Sequence, residues 1–248
     1  MLKVDSLFKS FGALLATDNL SFQVKKRDIH AIIGPNGAGK TTLIGQLTGE
    51  IESDSGSILF DGNNISGVPV HLRSAHGLAR SFQISNIFHD MTTWDNVALA
   101  VQAHAGHSFH FWKNASQEQE LRRPAIEFLA MVGLENRAKF VAGQLSHGEH
   151  RQLEIAMALA TNPKMLLLDE PMAGMGPKES QEIVKILQKL KRKLTILLIE
   201  HDMNVVFTLA DRITVLVNGR GIATDIPDAI KKNQKVIAAY LGEESYHA

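Results

Sequence analysis

Residues 34–42 have the residue types and the spacing that can hold the phosphate groups of a nucleotide. The nine residues are Gly34, Pro35, Asn36, Gly37, Ala38, Gly39, Lys40, Thr41 and Thr42. They fit G-x-x-x-x-G-K-[ST], in which glycines let successive backbone N–H groups turn towards an anion. Lys40 adds a mobile positive charge for the outer phosphates, and the Thr41 hydroxyl can coordinate Mg²⁺. We therefore expect this segment, called the phosphate loop below, to bind a nucleotide together with magnesium.

Two adjacent acids, Asp169 and Glu170, directly follow the apolar run 165–168. Ligands of α/β proteins gather outside the carboxyl ends of parallel strands, so both acids are expected beside the nucleotide. Asp169 would hold the magnesium ion, and Glu170 would polarise the water that attacks the γ-phosphate. The alternative is a pair of solvated acids that end a strand. We favour the metal interpretation because the phosphate loop already requires a metal partner.

A second surface for phosphate is predicted at residues 145–149 (LSHGE), which precede a helix over 151–160. Ser146 and Glu149 have the spacing of a helix capping box, and this is the purely structural interpretation. A serine hydroxyl, the Gly148 amide and a helix N-terminus also suit a phosphate group. Two such surfaces, far apart in the sequence, either line one pocket or serve nucleotides held by different copies.

The predicted elements place the phosphate loop and the acids at one end of a sheet. Strand, helix and strand follow one another as in a parallel α/β sheet. The strands expected there are 29–33, 165–168, 195–199 and 213–217, with helices from Thr41 and over 178–193. The remaining pattern predicts antiparallel strands at 2–7 and 20–24, a strand at 57–60, mainly helical structure over 84–160, a hairpin turn at 218–219 and a helix over 227–241.

The length and composition of the chain limit the classes of protein to which it can belong. The 248 residues can form one large domain, and 26 Lys and Arg balance 26 Asp and Glu, so net charge does not favour a nucleic-acid partner. The chain has no cysteine, which excludes disulfides and thiolate chemistry and fits a cytosolic protein. Residues 1–12 lack the apolar core of a signal peptide, and no apolar run approaches the about 20 residues that span a bilayer. A membrane role would therefore require a partner.

Five motifs in order resemble the ATPase subunit of an ABC transporter over nearly the whole chain. They are the phosphate loop, Gln83 in Ser81-Phe82-Gln83, LSHGE at 145–149, LLLDE at 166–170 and His201 in Ile199-Glu200-His201-Asp202. The resemblance implies an α/β fold with a P-loop ATPase core and an antiparallel β flank. It places this core at 1–84 and 160–225, an inserted helical subdomain at 85–159 and a C-terminal helical extension at 226–248.

The resemblance also implies that ATP lies between two subunits arranged head to tail. Each site then pairs one subunit's phosphate loop with Ser146, Gly148 and Glu149 of the other. Gln83 would sense magnesium and the attacking water while touching the membrane partner, and His201 would contact the γ-phosphate and orient Glu170. The implied catalytic residues are Glu170, His201, Gln83 and Lys40, and the implied Mg²⁺ ligands are Thr41, Gln83 and Asp169. Phe11 matches the aromatic residue that stacks on adenine, with core packing as the alternative.

Within this family, several sequence segments of the chain are most similar to segments of the ATPases of branched-chain amino acid importers and their urea and amide relatives. The segments are FGALLATDNLSF, GLARSFQ, LSHGEHRQLEIAMALA, EPMAGMGP and VIAAYLG. Such systems use two different ATPase subunits, two integral membrane permease subunits and an external solute-binding protein. The expected location is peripheral, on the cytoplasmic face of the cell membrane, and no nucleic-acid partner is expected.

Other functions remain as alternatives. Lipopolysaccharide export also uses a single-cassette ATPase of similar length. A soluble ABC protein of DNA repair or translation belongs to a different class, but the chain has one cassette and no heptad run of the coiled-coil type. A small-molecule kinase would have no use for LSHGE or His201. These features favour the transporter.

Three departures from the family pattern bear on the second subunit. His147 replaces the first glycine of the usual LSGGQ, and Glu149 replaces its glutamine, with His150 following. Gly176 stands where the family usually has an aspartate that links the two sites across the dimer. This loss puts the coupling of the two sites in doubt, and a mixed dimer with a non-identical ATPase is one way to tolerate it, with a homodimer as the alternative.

Three further segments attract attention. His104, His107 and His110 have a spacing that could suit metal, but Gly106 interrupts them and a solvated or partner-facing segment is favoured. The basic run 185–193 is interpreted as a solvated helix face. The aromatics Phe109, Phe111 and Trp112 either pack the helical subdomain or contact a membrane subunit, with packing favoured for Trp112.

Overall fold

The computed structural model describes residues 1–80, 87–104 and 115–244, without the side chains of 104, 115–122 and 240–244. The strands are β1 (Leu2–Phe11), β2 (Leu14–Val24), β3 (Ile29–Ile33), β4 (Ser55–Phe60), β5 (Asn63–Asn64), β6 (Leu78–Arg80), β7 (Met165–Asp169), β8 (Thr195–Ile199), β9 (Arg212–Val217) and β10 (Arg220–Asp225). The α-helices are α1 (Lys40–Thr48), α2 (Val70–Ala75), α3 (Thr93–His104), α4 (Ala115–Val132), α5 (His147–Ala160), α6 (Pro177–Leu190), α7 (Met203–Leu209), α8 (Pro227–Lys232) and α9 (Gln234–Glu244).

The central sheet has the strand order β10-β9-β3-β8-β7-β6, and its members from β9 to β6 run parallel. Every residue of β3, β7 and β8 is buried, since helices cover both faces of the sheet. This two-sided burial explains their uninterrupted apolar sequences. The loops that follow these three strands leave the same edge of the sheet, and they carry the phosphate loop, Glu170 and His201.

A second, antiparallel sheet has the order β2-β1-β4-β5 and confirms the predicted flank. Its inward residues alternate with exposed ones, as in a sheet with one solvated face. Helix α1 lies between the two sheets. Leu43, Ile44 and Leu47 of α1 share one apolar cluster with Leu2 of β1 and Leu167 of β7. The helix behind the phosphate loop is therefore held from both sides.

Helices α3, α4 and α5 pack on one another, and α5 also contacts α6. One apolar cluster runs from Val97 and Leu129 through Leu153 to Leu166 and Ile183, so the helical region and the central sheet share core residues. The region predicted as mainly helical also contains 3-10 turns at Glu135–Arg137 and Ala142–Gln144. The proposed division into 1–84, 85–159, 160–225 and 226–248 stays a prediction.

The structure corrects several element predictions. The single helix expected over 227–241 is wrong, because the chain forms α8 and α9 on either side of Asn233. The Asn233 side chain accepts hydrogen bonds from the Lys235 and Val236 N–H groups and so caps α9. Helix α6 ends before Arg192, which has a left-handed backbone (φ +66°). The short elements β5, β6, α2 and α7 are additions to the predicted set. None of the helices within the described ranges is long and apolar enough to cross a membrane.

Candidate functional site

The phosphate loop joins β3 to α1 and packs tightly on neighbouring strands. A Cβ atom at Gly34 would overlap the carbonyl oxygen of Leu216, and one at Gly39 would overlap that of Ala16. Gly37 and Gly39 also have left-handed backbones, with φ of +77° and +101°. Glycine is therefore required at Gly34 and Gly39 by space, and at Gly37 and Gly39 by conformation.

The open end of α1 suits an anion. Gly39 is its N-cap residue and contributes no side-chain cap, and no acid occupies the first turn. The first N–H groups of the helix are thus not satisfied by a capping side chain. The Lys40 ammonium lies across the loop, donating to the carbonyl oxygens of Gly34 at 2.6 Å and Pro35 at 2.8 Å. Positive charge and uncapped helix N–H groups occur together here, which fits the phosphates of a nucleotide.

Asp169 is the last residue of β7 and is 6% exposed. Burial raises the pKa of its carboxyl group, and Arg80, whose Nη2 lies 3.4 Å from Oδ2, opposes the shift. Thr41 is exposed in the first turn of α1. A carboxylate and a hydroxyl are oxygen donors of the kind that Mg²⁺ prefers, so both residues fit the predicted metal. Gln83, the third predicted ligand, lies outside the described residues.

Glu170 begins the loop after β7 with a strained backbone. Its φ is +46°, which is uncommon for a residue other than glycine, and its N–H donates to the Ile199 carbonyl oxygen at 2.9 Å. Its side chain is 39% exposed, and Oε1 lies 3.7 Å from Nδ1 of His201. The structure thus brings together the two residues that the sequence assigned to the attacking water and the γ-phosphate.

Glu200, directly before His201, was not predicted as a site residue. It is 1% exposed. Its Oε1 accepts a hydrogen bond from the Met172 N–H, and its Oε2 accepts from the N–H groups of His201 and Asp202. The sequence did contain a signal for Glu200, because this residue follows a buried parallel strand just as Asp169 ends one. The rule that selected Asp169 also applies here.

Two arginines were also missed. Arg151 of α5 donates from Nε to the Pro171 carbonyl oxygen at 3.2 Å and from Nη2 to that of Glu170 at 3.4 Å. Arg80 ends β6 and bridges Asp169 to Glu50, whose Oε2 lies 2.6 Å from its Nη1. Helix α5 is therefore hydrogen-bonded to the loop that carries Glu170.

The LSHGE segment forms the capping box that the structural interpretation predicted. Ser146 caps α5, with its Oγ accepting from the Glu149 N–H and its N–H donating to Glu149 Oε2. Glu149 Oε1 also accepts from Arg137 Nε at 2.8 Å. Both Glu149 oxygens are thus engaged within the chain, while the Ser146 hydroxyl hydrogen is available to donate. The assignment of Ser146, Gly148 and Glu149 to a nucleotide stays a prediction.

The LSHGE segment lies against the loop that follows Glu170. His147 Nε2 is 3.4 Å from the Ala173 carbonyl oxygen, and a Cβ at Gly148 would lie 3.1 Å from the Glu179 side chain. Gly176, the residue in place of the family aspartate, caps α6 with φ −72°, and a Cβ there would meet nothing within 4 Å. The backbone at position 176 would therefore accept other residues.

Phe11 is 49% exposed, so the core-packing alternative is wrong. Its ring lies 5.4 Å from Lys9 Nζ. Asp54 fixes this end of β1 by accepting hydrogen bonds from Lys9 Nζ and from the N–H and Oγ of Ser10. These bonds, led by that from Lys9, lower the pKa of Asp54 to about 2. Stacking of Phe11 on adenine stays a prediction.

The other segments singled out in the sequence are the histidine and aromatic segment 104–112 and the basic run 185–193. His107, His110, Phe109, Phe111 and Trp112 lie outside the described residues, as does the side chain of His104. In the ranges that are described, no three His, Cys, Asp or Glu residues form a group that could hold a metal ion. In the basic run, Lys191 pairs with Asp211, and Arg192 pairs with Asp28 and Asp211, so that run is partly engaged in ion pairs.

Comparison with known proteins identifies the class. The ABC transporter family matches residues 17–173, and the family described as branched-chain amino acid ATP-binding cassette transporter matches residues 222–246. The first match covers more than half of the chain. The chain therefore belongs to the ABC transporter family, and the resemblance stated from its motifs is confirmed, together with its α/β ATPase fold.

Individual relatives and solved structures are similar to this chain over most of its length. The high-affinity branched-chain amino acid transport ATP-binding protein BraF of Pseudomonas aeruginosa is 38% identical over 250 residues, which cover 98% of each chain. A solved ATP-binding cassette of an ABC transporter in its ADP conformation is 32% identical, with a TM-score of 0.85 and 98% coverage of both chains. A dimeric cassette in a post-hydrolysis state, bound to ADP and Pi, is 25% identical, with a TM-score of 0.76 over 92% of this chain and 99% of that one.

Proposed function

We propose that the chain is the ATP-hydrolysing subunit of an ABC importer for branched-chain amino acids or related small polar solutes. The observation that carries the proposal is the pairing of Glu170 with His201 at the sheet edge that also carries the phosphate loop. The name of the Pseudomonas relative and the match of residues 222–246 support the solute class.

We infer the roles of the residues from the positions described above and, for Gln83, from the family pattern alone. Lys40 and the N–H groups that begin α1 bind the outer phosphates of ATP, and Thr41, Asp169 and Gln83 would hold Mg²⁺. Magnesium held there would supply positive charge to the phosphate oxygens during the transfer. Glu170 accepts a hydrogen bond from the attacking water and so orients it, while His201 contacts the γ-phosphate and Glu170. Phe11, exposed at the end of β1, stacks on the adenine.

The second half of each ATP site comes from a second ABC ATPase subunit in a head-to-tail dimer. Ser146 at the start of α5 offers a hydroxyl donor, and Gly148 lies in the first turn of the same helix. Dimeric assembly of the solved cassette with bound ADP and Pi supports this arrangement. We infer a non-identical partner, because Gly176 lacks the carboxylate that links two sites although its backbone leaves room for one.

Integral membrane permease subunits are the proposed partners on another face. A cavity of about 200 Å³ opens between α2, β6, α3 and α5, with apolar walls that include Leu78, Ile87 and Met157. Arg80 lines this cavity and also contacts Asp169. We assign the apolar walls of this cavity to contact with a permease subunit. Binding of the permease in this cavity would then affect the metal site through Arg80. The chain would lie peripherally at the cytoplasmic face of the membrane.

The test of the reaction is Glu170→Gln in the full chain with its co-purified subunits. We expect kcat for ATP hydrolysis to fall by about 100-fold or more, because the oriented water loses its general base, while ATP binding persists. Glu182→Gln is the matched control, since Glu182 is an exposed acid paired with Lys185. Normal hydrolysis by Glu170→Gln would remove Glu170 from its role.

The test of the transport assignment is affinity capture of the chain from solubilised membranes. We expect permease subunits, a second ATPase and, through the permease, an external solute-binding protein. Recovery of ribosomes or DNA in place of membrane proteins would contradict the assignment.

A further inference from the structure

The loops that carry Glu170 and His201 are joined by one buried carboxylate. We propose that Glu200 is a positioning residue, which holds Glu170 and His201 at a set separation by accepting hydrogen bonds from both loops. This inference rests on the proposed function, because it assigns Glu200 a role in the same hydrolytic site.

The two oxygens of Glu200 serve different loops. Oε1 accepts from the Met172 N–H at 3.2 Å, in the loop after β7. Oε2 accepts from the His201 N–H at 3.0 Å and the Asp202 N–H at 3.5 Å, in the loop after β8. Oε2 also lies 3.8 Å from His201 Nδ1. One side chain therefore spans the gap between the two halves of the proposed catalytic pair.

Glu200 connects the two loops beyond the point where the hydrogen bonds between β7 and β8 end. In the ladder between β7 and β8, Asp169 is opposite Ile199, and the next bond runs from the Glu170 N–H to the Ile199 carbonyl oxygen. Beyond that bond the chains diverge into loops. The Met172 N–H is then held by the Glu200 side chain, so Glu200 extends the connection past Glu170.

The burial of Glu200 makes this connection stiff. A carboxyl group that is 1% exposed has lost its water, and the loss is tolerable only while its hydrogen bonds are made. Displacing either loop would leave a buried oxygen without a donor. The general base of a hydrolase must be placed within a fraction of an ångström, and about 1 Å of misplacement can cost about 100-fold in rate.

Glu200→Gln is a sharp test because glutamine keeps the shape but has one oxygen. Its NH₂ group must then face either Met172 N–H or the N–H groups of the other loop. In the full chain with its partner subunits, we expect kcat to fall by about tenfold or more and the KM for ATP to change less than about twofold. In the nucleotide-free chain, we expect faster hydrogen exchange at the amide that loses its acceptor.

Asp211→Asn is the matched control. Asp211 accepts from the Ile29 N–H at 2.9 Å and pairs with Lys191 and Arg192, at the opposite end of the central sheet. Its loss is expected to lower Tm while leaving kcat unchanged. If Glu200→Gln behaved in the same way, Glu200 would be purely structural and the proposal would be wrong.

A double-substitution cycle separates positioning from general stability. If Glu200 acts by placing Glu170 relative to His201, the fold-loss in kcat from Glu200→Gln shrinks in a His201→Ala background. Losses that multiply in full contradict the proposal. Should Glu200→Gln not fold, the wild-type chain still decides, since a Met172 amide without exchange protection also contradicts it. Normal hydrolysis by Glu170→Gln would contradict the proposed function. An inactive Glu170→Gln variant together with a fully active Glu200→Gln variant would contradict only this inference.

Discussion

His201 Nδ1 lies 3.7 Å from Glu170 Oε1, although the two residues follow different strands. They meet because β7 and β8 are parallel neighbours that end level with each other, with Asp169 opposite Ile199. This relationship places the proposed base and the proposed γ-phosphate contact at one edge of the sheet. It also gives each of the two a role that can be tested separately.

Replacing His201 with alanine is expected to reduce kcat by about 100-fold, because a preorganised group beside the γ-phosphate is lost. ATP affinity should stay close to that of the wild type, since the phosphate loop is untouched. Steady-state hydrolysis and equilibrium ATP binding give the two quantities. His71→Gln removes an exposed histidine of α2 and serves as the control. An equal loss of affinity and rate would mean that His201 acts in binding.

Removing the Phe11 ring by Phe11→Ala is expected to weaken ATP binding by about three- to tenfold, the effect of one aromatic stacking contact. Binding of inorganic triphosphate should not change, because it has no base to stack. Leu14→Ala is the control, since Leu14 is also exposed, at 67%. Equal weakening of ATP and triphosphate would assign Phe11 to the shape of the phosphate loop.

The substitution Gly176→Asp is expected to increase ATP-dependent self-association of the chain in a Glu170→Gln background. The position has space for the side chain, and a carboxylate there would restore the link that the family uses between sites. Light scattering with and without ATP measures the dimer. Gly67→Asp is the control, since a Cβ at exposed Gly67 also meets nothing within 4 Å. If the Glu170→Gln chain with its native Gly176 already dimerised with ATP as strongly as the Gly176→Asp variant, the inferred preference for a non-identical partner would be wrong.

Acid is expected to destabilise the fold through His30. This histidine is fully buried in β3, with Nε2 2.8 Å from Thr214 Oγ1, and Nδ1 has no hydrogen-bond partner in the part of the chain that is described. Burial, helped by the charge of Arg212, lowers its pKa from 6.5 to about 4. Between these two pH values the unfolded chain binds a proton that the folded chain does not. The free energy of unfolding should therefore fall as pH falls through this window, by about 3 kcal/mol in total.

Urea unfolding at a series of pH values between 7 and 4 measures this effect. His30→Gln should flatten the pH dependence, because glutamine can still bond to Thr214 but does not titrate. His71→Gln, on the surface, should leave it as in the wild type. Identical slopes for the wild type and His30→Gln would place the acid sensitivity elsewhere.

Much of the architecture was predictable because it depends on short-range patterns. Continuous apolar runs identified β3, β7 and β8, since strands buried on both faces have no polar side to show. The elements that were missed or misplaced have weak local signals. Helix α7 is short, β6 is three residues long, and the break between α8 and α9 depends on one asparagine cap.

The candidate site likewise contains residues that local sequence patterns predicted and residues that they did not predict. The types and spacing of Lys40, Thr41, Asp169 and Glu170 were enough to predict an ATPase, the class that the family match supports. The position of Glu200 directly after β8 marked it as a candidate, but its partner Met172 is distant in sequence, as is the Glu170 carbonyl that Arg151 contacts. Such contacts depend on which loops become neighbours.

By itself, the sequence determined the chemistry and the family, because phosphate binding and water activation need particular groups at particular spacings. Only the tertiary structure decided that Phe11 is exposed and that Glu200 is buried between two loops. The physical reason is that burial and hydrogen-bond partners arise from the packing of segments that are remote along the chain. That packing turns an acid beside His201 into a connection between both halves of the proposed catalytic pair.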